Sequence, residues 1–298
     1  IKDNKIDIAI HRNGYSQNSR TNIFTYDVAP LKINFLGYPG TTGLEFIDYM
    51  IADRIMIPSK NKQFFSEKII YLPDSYYPTY EGRTISPKYF DRKSFGIDKN
   101  AFVFCSFNNS YKISSREFDI WMRLLDKCKG SYLLLLIENQ FTQKNLENEA
   151  VKRQVDPNRL KFFDYINIED HLARHTLADL YLDTFNYNGH TSAVDSLFAG
   201  VPVITMLGNS FTARVCSSIL NAFDMNDMIA KNEDEYEKLA LEISQNLDLY
   251  KKLKQQVRKN RFSSNFFNSK KYVMNLEKAF LLAYEHKTNL NVVQDIYV

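Results

Sequence analysis

The chain has 298 residues, 44% of them hydrophobic and 24% charged, with a formal net charge of +3. This composition supplies enough core for one large or two modest domains and excludes a disordered chain. Lys and Arg are interspersed with Asp and Glu, so the clustered positive charge of a nucleic-acid binder is missing, and no nucleic-acid partner is expected.

The three cysteines, Cys105, Cys128 and Cys216, lie far apart and suit neither a disulfide framework nor a zinc site, which points to a reducing compartment. Cys105 and Cys128 fall in apolar patterns and read as small core residues. The longest apolar run, Tyr132 to Ile137, is too short to cross a bilayer, and no basic-then-apolar leader pattern opens the sequence. A cytoplasmic location with no membrane partner is expected. The first residue is Ile1 and not Met, and the expectation is a fragment of a longer polypeptide.

In chain order, Ile6 to Ile10 and Lys32 to Leu36 read as short strands. They are followed by the turn-rich Gly37-Tyr-Pro-Gly-Thr-Thr-Gly43 and by Ile51 to Ile57. This opening is too brief to close a sheet by itself. Residues 72–98 carry Pro73, Pro78, Gly82, Pro87 and Gly96 with little periodicity and read as a connector. From Ala101 the pattern becomes regular. Ala101 to Phe107 is a strand, and Ser114 with Glu117 forms a capping box ahead of a helix from Ser115 to Cys128, with Phe118, Trp121, Leu125 and Cys128 at helical spacing. Tyr132 to Ile137 and Leu160 to Phe163 are strands, Gln143 to Gln154 is a helix, and a short helix follows Asn167. Then come the strand Leu180 to Thr184, a helix ending at Gly200 and the strand Val201 to Met206. Helices from Asn232, over Asp248 to Arg261 and over Ser269 to His286 close the chain. The basic stretch from Lys251 to Arg261 reads as a solvated helix face. Alternating strands and helices predict a parallel α/β sheet whose ligands bind at the carboxyl ends of the strands.

Three polar clusters fall at such strand ends. In Phe107-Asn-Asn-Ser-Tyr-Lys112, the lysine either neutralises phosphate charge or is a solvated loop residue. In Ile168-Glu-Asp-His171-Leu-Ala-Arg174, His171 and Arg174 share one helix face, at the ligand edge or on a capped surface helix. In Asn188-Gly-His-Thr-Ser192, the first turn of a helix offers backbone N–H groups and a positive dipole to an anion, the alternative being an ordinary capped βα loop. Asp195, further into that helix, accepts from ribose hydroxyls or caps a neighbouring loop.

Seven ordered motifs carry a resemblance: Leu36-Gly-Tyr-Pro-Gly-Thr-Thr-Gly43, Ser106 to Ile113, Asp170-His171-Leu-Ala-Arg174 with Leu177-Ala-Asp, Leu182-Asp-Thr with Asn188 to Thr191, Gly200 to Met206, Ile229 to Tyr236, and Phe267-Asn268. In order and spacing they resemble the catalytic region of the O-linked N-acetylglucosamine transferases and the related SPINDLY-type enzymes, from about Ile6 to His286. The resemblance implies an α/β GT-B glycosyltransferase with two Rossmann-like halves. Residues 1–87 would be a partial N-terminal half plus connector, 88–265 the nucleotide-sugar-binding half, and 266–298 a C-terminal helix and tail.

The resemblance also implies roles. Lys112 corresponds to the lysine that contacts the donor diphosphate and stabilises the leaving group. Asn109 stands where the family often has a longer Gln. His171 and Arg174 match a uracil- and nucleotide-side pair, Gly189, His190, Thr191 and Ser192 the diphosphate turn, and Asp195 the ribose ligand. Leu36, Gly37 and Tyr111 fall at sugar-pocket positions. The implied reaction moves N-acetylglucosamine from UDP-N-acetylglucosamine to Ser/Thr hydroxyls of protein acceptors, with inversion, no metal and no cofactor. His190 and Asp195 tilt the donor away from GDP-fucose. Other expectations are a GDP-fucose or UDP-glucose donor in the same fold, or a catalytically inert nucleotide-binding scaffold. The upstream histidine-bearing loop and the tetratricopeptide repeats of the family have no counterpart here, so the donor is expected to bind to these residues without being transferred.

Overall fold

The computed structural model describes residues 2–298 and divides into two units, one ending at Glu81 and resuming at Asn265, the other spanning Gly82–Ser264. The first unit contains strands β1 (Ile8–His11), β2 (Leu31–Asn34), β3 (Tyr49–Ala52) and β4 (Lys68–Tyr71), all parallel and in that spatial order. The opening segment does not close this sheet alone. The fifth strand is Ile296–Tyr297, which pairs with β4 in the register Ile296↔Ile70 and Tyr297↔Tyr71. The long helix Ser269–Thr288 sets Ala279 and Ala283, one turn apart, into a core with Leu31, Ile33, Tyr49, Ile51 and Ile70. Two buried alanines at this spacing let helix and sheet approach closely. Residues 266–298, expected as a separate helix and tail, therefore belong to the N-terminal unit, and the split expected at 87/88 falls at 81/82.

The stretch read as a connector is divided between the units and is tied down by side chains. The Tyr76 N–H donates to Asp53 Oδ2 at 3.0 Å in the first unit. In the second, Arg92 donates to the Ala101 and Leu177 carbonyls and, at 2.8 Å, to Asp179.

The second unit alternates β5 (Val103–Ser106), α1 (Ser115–Lys127), β6 (Tyr132–Leu136), α2 (Gln140–Lys152), β7 (Leu160–Phe163), α3 (Ile168–Arg174), β8 (Leu180–Leu182), α4 (Thr191–Phe198), β9 (Val203–Met206), α5 (Val215–Ala222), β10 (Ile229–Ala230), α6 (Glu233–Gln245) and α7 (Leu247–Ser263). The strands are parallel and ordered β10-β9-β8-β5-β6-β7. Beginning at β5, the chain builds outward through β6 and β7, then returns to the other side of β5 for β8, β9 and β10. The order reverses between β5 and β8, and in an open α/β sheet such a reversal splays the loops at the strand ends apart and leaves a crevice.

Local rules account for most of these elements. The Ser114–Glu117 capping box starts α1. Phe118, Trp121, Leu124 and Leu125 are buried along that helix, while Cys128 is its half-buried C-cap and not a core residue. Asn139 starts α2 three residues ahead of the predicted position by accepting from the Thr142 N–H at 2.9 Å. The left-handed Gly200, at φ 88°, follows α4 and lets the chain turn into β9. Helix α5 has no counterpart in the sequence reading. Seven of its eight residues are buried, so it carries no polar face for a helical period to mark.

Candidate functional site

The loops after β5 and β8, on the two sides of the reversal, enclose a cavity of about 410 Å³ in the second unit. Its lining includes Asn109, Lys112, His171, Arg174, His190, Thr191, Ser192 and Asp195, so the three polar clusters do converge. Gly189 lies on the turn that leads into this wall. Tyr111 does not line the cavity: it is 73% exposed and receives a hydrogen bond from Asn109 Nδ2 at 3.3 Å. Leu36 and Gly37 belong to the other unit, on the turn after β2, and are not part of this lining. There Leu36 adopts a left-handed φ of 73°, and a side chain on Gly37 would strike the Arg12 carbonyl oxygen.

Lys112 ends a short 3₁₀ turn after β5. Its Nζ donates to the Asn188 carbonyl at 3.0 Å and stands 4.2 Å from the centre of the Tyr187 ring. Burial lowers its pKa to about 8, against the pull of Asp183, so the ammonium persists at neutral pH but is poorly solvated. It is held beside the N-terminus of α4, where the helix dipole is positive. Two sources of positive potential thus meet on one wall of the cavity.

The turn from Thr184 to His190 is built around Asp183, a fully buried carboxylate. Asp183 Oδ1 accepts from the Gly189 N–H at 2.6 Å, the Thr184 N–H at 2.9 Å and Asn108 Nδ2 at 3.3 Å, while Oδ2 accepts from Thr205 Oγ1 at 2.7 Å. Burial raises its pKa to about 6, opposed by these donors. Asn108 then accepts from Ser192 Oγ at 2.7 Å, and Ser192 Oγ accepts from the Tyr181 hydroxyl at 3.0 Å. The Ser192 hydroxyl is therefore occupied in holding α4 to β5 and β8, which leaves its backbone for a ligand. His190 caps α4 with its ring stacked on Tyr187, 5.1 Å between centroids, and burial drops its pKa to about 3.

His171 and Arg174 form a mutually oriented pair. Arg174 Nε donates to His171 Nδ1 at 2.9 Å and Arg174 Nη1 to the Asp164 carbonyl at 2.7 Å. His171 is thereby kept neutral with its proton on Nε2, which faces Asp195 Oδ2 at 3.8 Å. Burial, His175 and Arg174 push its pKa down to about 2. Arg174 is 2% exposed and lies 5.1 Å from the Phe107 ring centre, a cation–π contact that braces α3 against the end of β5. Its guanidinium orients His171 more than it meets the cavity.

Asp195 realises the second of its two sequence readings. Its carboxylate is ion-paired with Arg83 from the 82–102 segment, whose guanidinium also lies over the Phe198 ring. Any ribose that binds Asp195 shares it with Arg83.

Arg83 escaped the sequence reading, and Asn108 and Asp183 fell within the ordered motifs without a role. Arg83 meets Asp195 112 positions away and Asn108 meets Asp183 75 positions away, spans that no local pattern marks, although Asp183 also holds the nearby Thr184 and Gly189. Asp183 did leave a trace, as the one charged residue closing the otherwise apolar run Leu180-Tyr-Leu. Tyr165 donates to Asn109 Oδ1 at 2.6 Å and lines the cavity with Ile166 and Ile168, a largely apolar wall of the kind a planar base packs against. Among the described residues no group of three His, Cys, Asp or Glu side chains is placed to hold a metal ion, and no helix is long and apolar enough to cross a membrane.

The model of glycosyl transferase family 41 matches residues 1–90 and 79–276. The chain is 32% identical over 286 residues to the Arabidopsis thaliana protein named probable UDP-N-acetylglucosamine–peptide N-acetylglucosaminyltransferase SEC, and 31% identical over 288 residues to the Petunia hybrida protein given the same enzyme name with SPINDLY. Both alignments cover 94% of this chain but only 29% and 30% of those proteins, so it spans less than a third of their length. Among solved structures, a mutant O-GlcNAc transferase of Thermobaculum terrenum superposes with a TM-score of 0.89 at 23% identity, covering 98% of this chain and 55% of that one. The sucrose-phosphate synthase of Thermosynechococcus elongatus superposes with a TM-score of 0.66 at 10% identity, covering 93% and 74%. The fold is that of the GT-B glycosyltransferases. With a family model matched along nearly its whole length, the chain belongs to glycosyl transferase family 41.

Proposed function

We propose that this chain carries the donor site of a protein O-glycosyltransferase that moves N-acetylglucosamine from UDP to Ser/Thr hydroxyls with inversion. The carrying observation is the convergence of the Lys112 ammonium and the α4 N-terminus on one wall of the cavity at the strand-order reversal. In an inverting transfer the acceptor oxygen attacks the anomeric carbon as the bond to the diphosphate breaks, and negative charge grows on the departing UDP. Preoriented positive groups lower that barrier most where water is excluded. Tyr165, Ile166 and Ile168 supply an apolar wall for the base, and Asp195 an acceptor for the ribose. The resemblance of the motifs, and the names of the relatives, favour the N-acetylglucosamine donor and peptide acceptors. A cytoplasmic setting belongs to the same reading.

Calorimetric titration with UDP, GDP, UDP-N-acetylglucosamine and UDP-glucose tests it. UDP and UDP-N-acetylglucosamine should bind and GDP should not. Preferential binding of GDP would instead support a fucose donor, and no nucleotide binding would overturn the reading. Lysine and a helix dipole already provide charge for the diphosphate, so UDP affinity should be unchanged in EDTA and the whole protein's transfer activity should survive it. A strict requirement for magnesium or manganese would reject this mechanism.

A further inference from the structure

We infer that Asp183 is a positioning residue that sets both the shape of the diphosphate turn and the protonation of Lys112. This assignment rests on the donor-site reading above. Three observations carry it. First, Asp183 is fully buried and yet receives hydrogen bonds from the backbone at Thr184 and Gly189 and from the side chains of Asn108 and Thr205. A carboxylate kept out of water is expensive, and it survives only where dipoles replace its hydration. Second, the Gly189 N–H it holds directly follows Asn188, whose carbonyl receives Lys112 Nζ at 3.0 Å. Asn188 is itself clamped, its Nδ2 donating to the Thr184 carbonyl at 2.7 Å and its Oδ1 accepting from the Cys216 N–H at 3.3 Å. The acceptor that aims Lys112 is therefore fixed by Asp183 at one end of the turn and by α5 at the other.

Third, the groups facing Lys112 leave few sources of compensating charge. They are the Tyr187 ring and Asn188 carbonyl of the turn, His190 at the cap of α4, Cys216 on α5 and Asp183 at the end of β8. Burial keeps His190 neutral and pushes the Cys216 thiol well above its ordinary range. Asp183 is thus the carboxylate whose charge raises the Lys112 pKa against the burial that lowers it. A diphosphate then meets a lysine already charged and already aimed.

Asp183→Asn separates charge from shape, because the amide oxygen still accepts from Gly189 and Thr184 while the negative charge is gone. In the chain labelled with ¹³C at lysine Cε, the Lys112 titration midpoint, about 8 in the native protein, should fall by about one pH unit. UDP affinity measured across the same range should lose its alkaline limb correspondingly earlier, weakening roughly five-fold at pH 8 while changing little at pH 6.5. A folded Asp183→Asn variant with an unmoved Lys112 midpoint overturns the inference. Should that variant fail to fold, Thr205→Val retains the carboxylate and removes one of its donors. Asp183 should then protonate at higher pH, shifting the acid-side inflection of the Lys112 signal upward by about half a pH unit or more, and an unmoved inflection overturns the inference equally. The lysine signal needs no ligand, so a native chain that binds no UDP would sink the donor reading and still decide the role of Asp183.

Discussion

Replacing Lys112 by alanine should lower transfer by the whole protein on the order of 100-fold or more, without lowering its thermal unfolding midpoint. The kinetic half follows from where the charge is. Lys112 is held against the Asn188 carbonyl and the Tyr187 ring in the cavity at the strand-order reversal, and a preoriented cation is worth most when the leaving group carries its full charge. The stability half follows from linkage. The pKa of Lys112 falls from 10.5 to about 8 on folding, so the folded protein binds this proton less tightly than the unfolded chain. Stability from this group is complete above pH 10.5 and is lost as pH falls through 8, which means that at neutral pH the charged lysine opposes folding by roughly 3 kcal/mol at most. Alanine removes that opposition together with one hydrogen bond and a cation–π contact of about 1 kcal/mol each, so the midpoint should stay level or rise. Wild-type turnover in a folded Lys112→Ala protein would exclude the leaving-group role. A large drop in unfolding temperature would show that the lysine is structural.

The same logic extends across the fold. Each unit places a buried carboxylate beneath a loop at a strand end. In the second it is Asp183; in the first it is Glu67, 4% exposed, whose oxygens accept from the Thr42 N–H at 2.8 Å, Thr42 Oγ1 at 2.7 Å and Asn34 Nδ2 at 3.3 Å, as well as from Thr41. Thr41 and Thr42 belong to the loop that begins with Leu36 and Gly37, and Asn34 ends β2 just ahead of it. Hydrogen bonding holds Glu67 below the ordinary carboxylate range despite its burial, whereas Asp183, more deeply enclosed, is raised. The rigidity of both loops comes from a charge that each unit shields from water, at a stability cost of the kind that functional sites tolerate.

Strands β6 and β7 were legible in the sequence to within one residue and β5 to within two, because each is a mostly apolar run closed by turn residues, and α1 was legible from its capping box. Strand β4 and the strand Ile296–Tyr297 were not. Two residues of strand carry no alternation, and their pairing joins positions more than 220 apart, with Asp295 Oδ1 accepting from the Ile69 N–H at 2.9 Å. The site divides in the same way. Lys112, His171, His190 and Asp195 could be named because their chemistry is unusual at strand ends. The sequence did not show that Tyr111 is exposed and outside the cavity lining, since the direction of its side chain depends on Asn109 and Tyr165 beside it. That Asp195 would meet Arg83 and Ser192 would meet Asn108 depends on tertiary neighbours that a periodic pattern does not encode.

Gly189→Ala should abolish most nucleotide binding with no change in charge. The φ of Gly189 is not left-handed, so alanine is permitted by the backbone, and the obstacle is space. A Cβ at this position would come within 2.7 Å of the Tyr181 hydroxyl, 2.8 Å of Ser192 Oγ and 3.2 Å of Asp183 Oδ1. None of these can give way freely. Tyr181 is anchored in β8 with no exposed surface, Ser192 Oγ is shared between Tyr181 and Asn108, and Asp183 is held by Thr184, Gly189, Asn108, Thr205 and the Cys216 thiol. The methyl must therefore push the turn outward, which lengthens the bond from the Gly189 N–H to Asp183, withdraws the Asn188 carbonyl from Lys112 and rotates the start of α4. Overpacking of this kind costs on the order of 1–3 kcal/mol, and loss of one donor to the buried Asp183 adds about 1 kcal/mol more. UDP affinity should fall ten-fold or more and the unfolding midpoint should drop by several degrees, whereas Gly130→Ala, at a left-handed turn with nothing within 4 Å of the added carbon, should cost a comparable amount of stability or less and leave UDP binding intact. Native UDP affinity in folded Gly189→Ala would show that the turn tolerates displacement and that its backbone does not position the diphosphate.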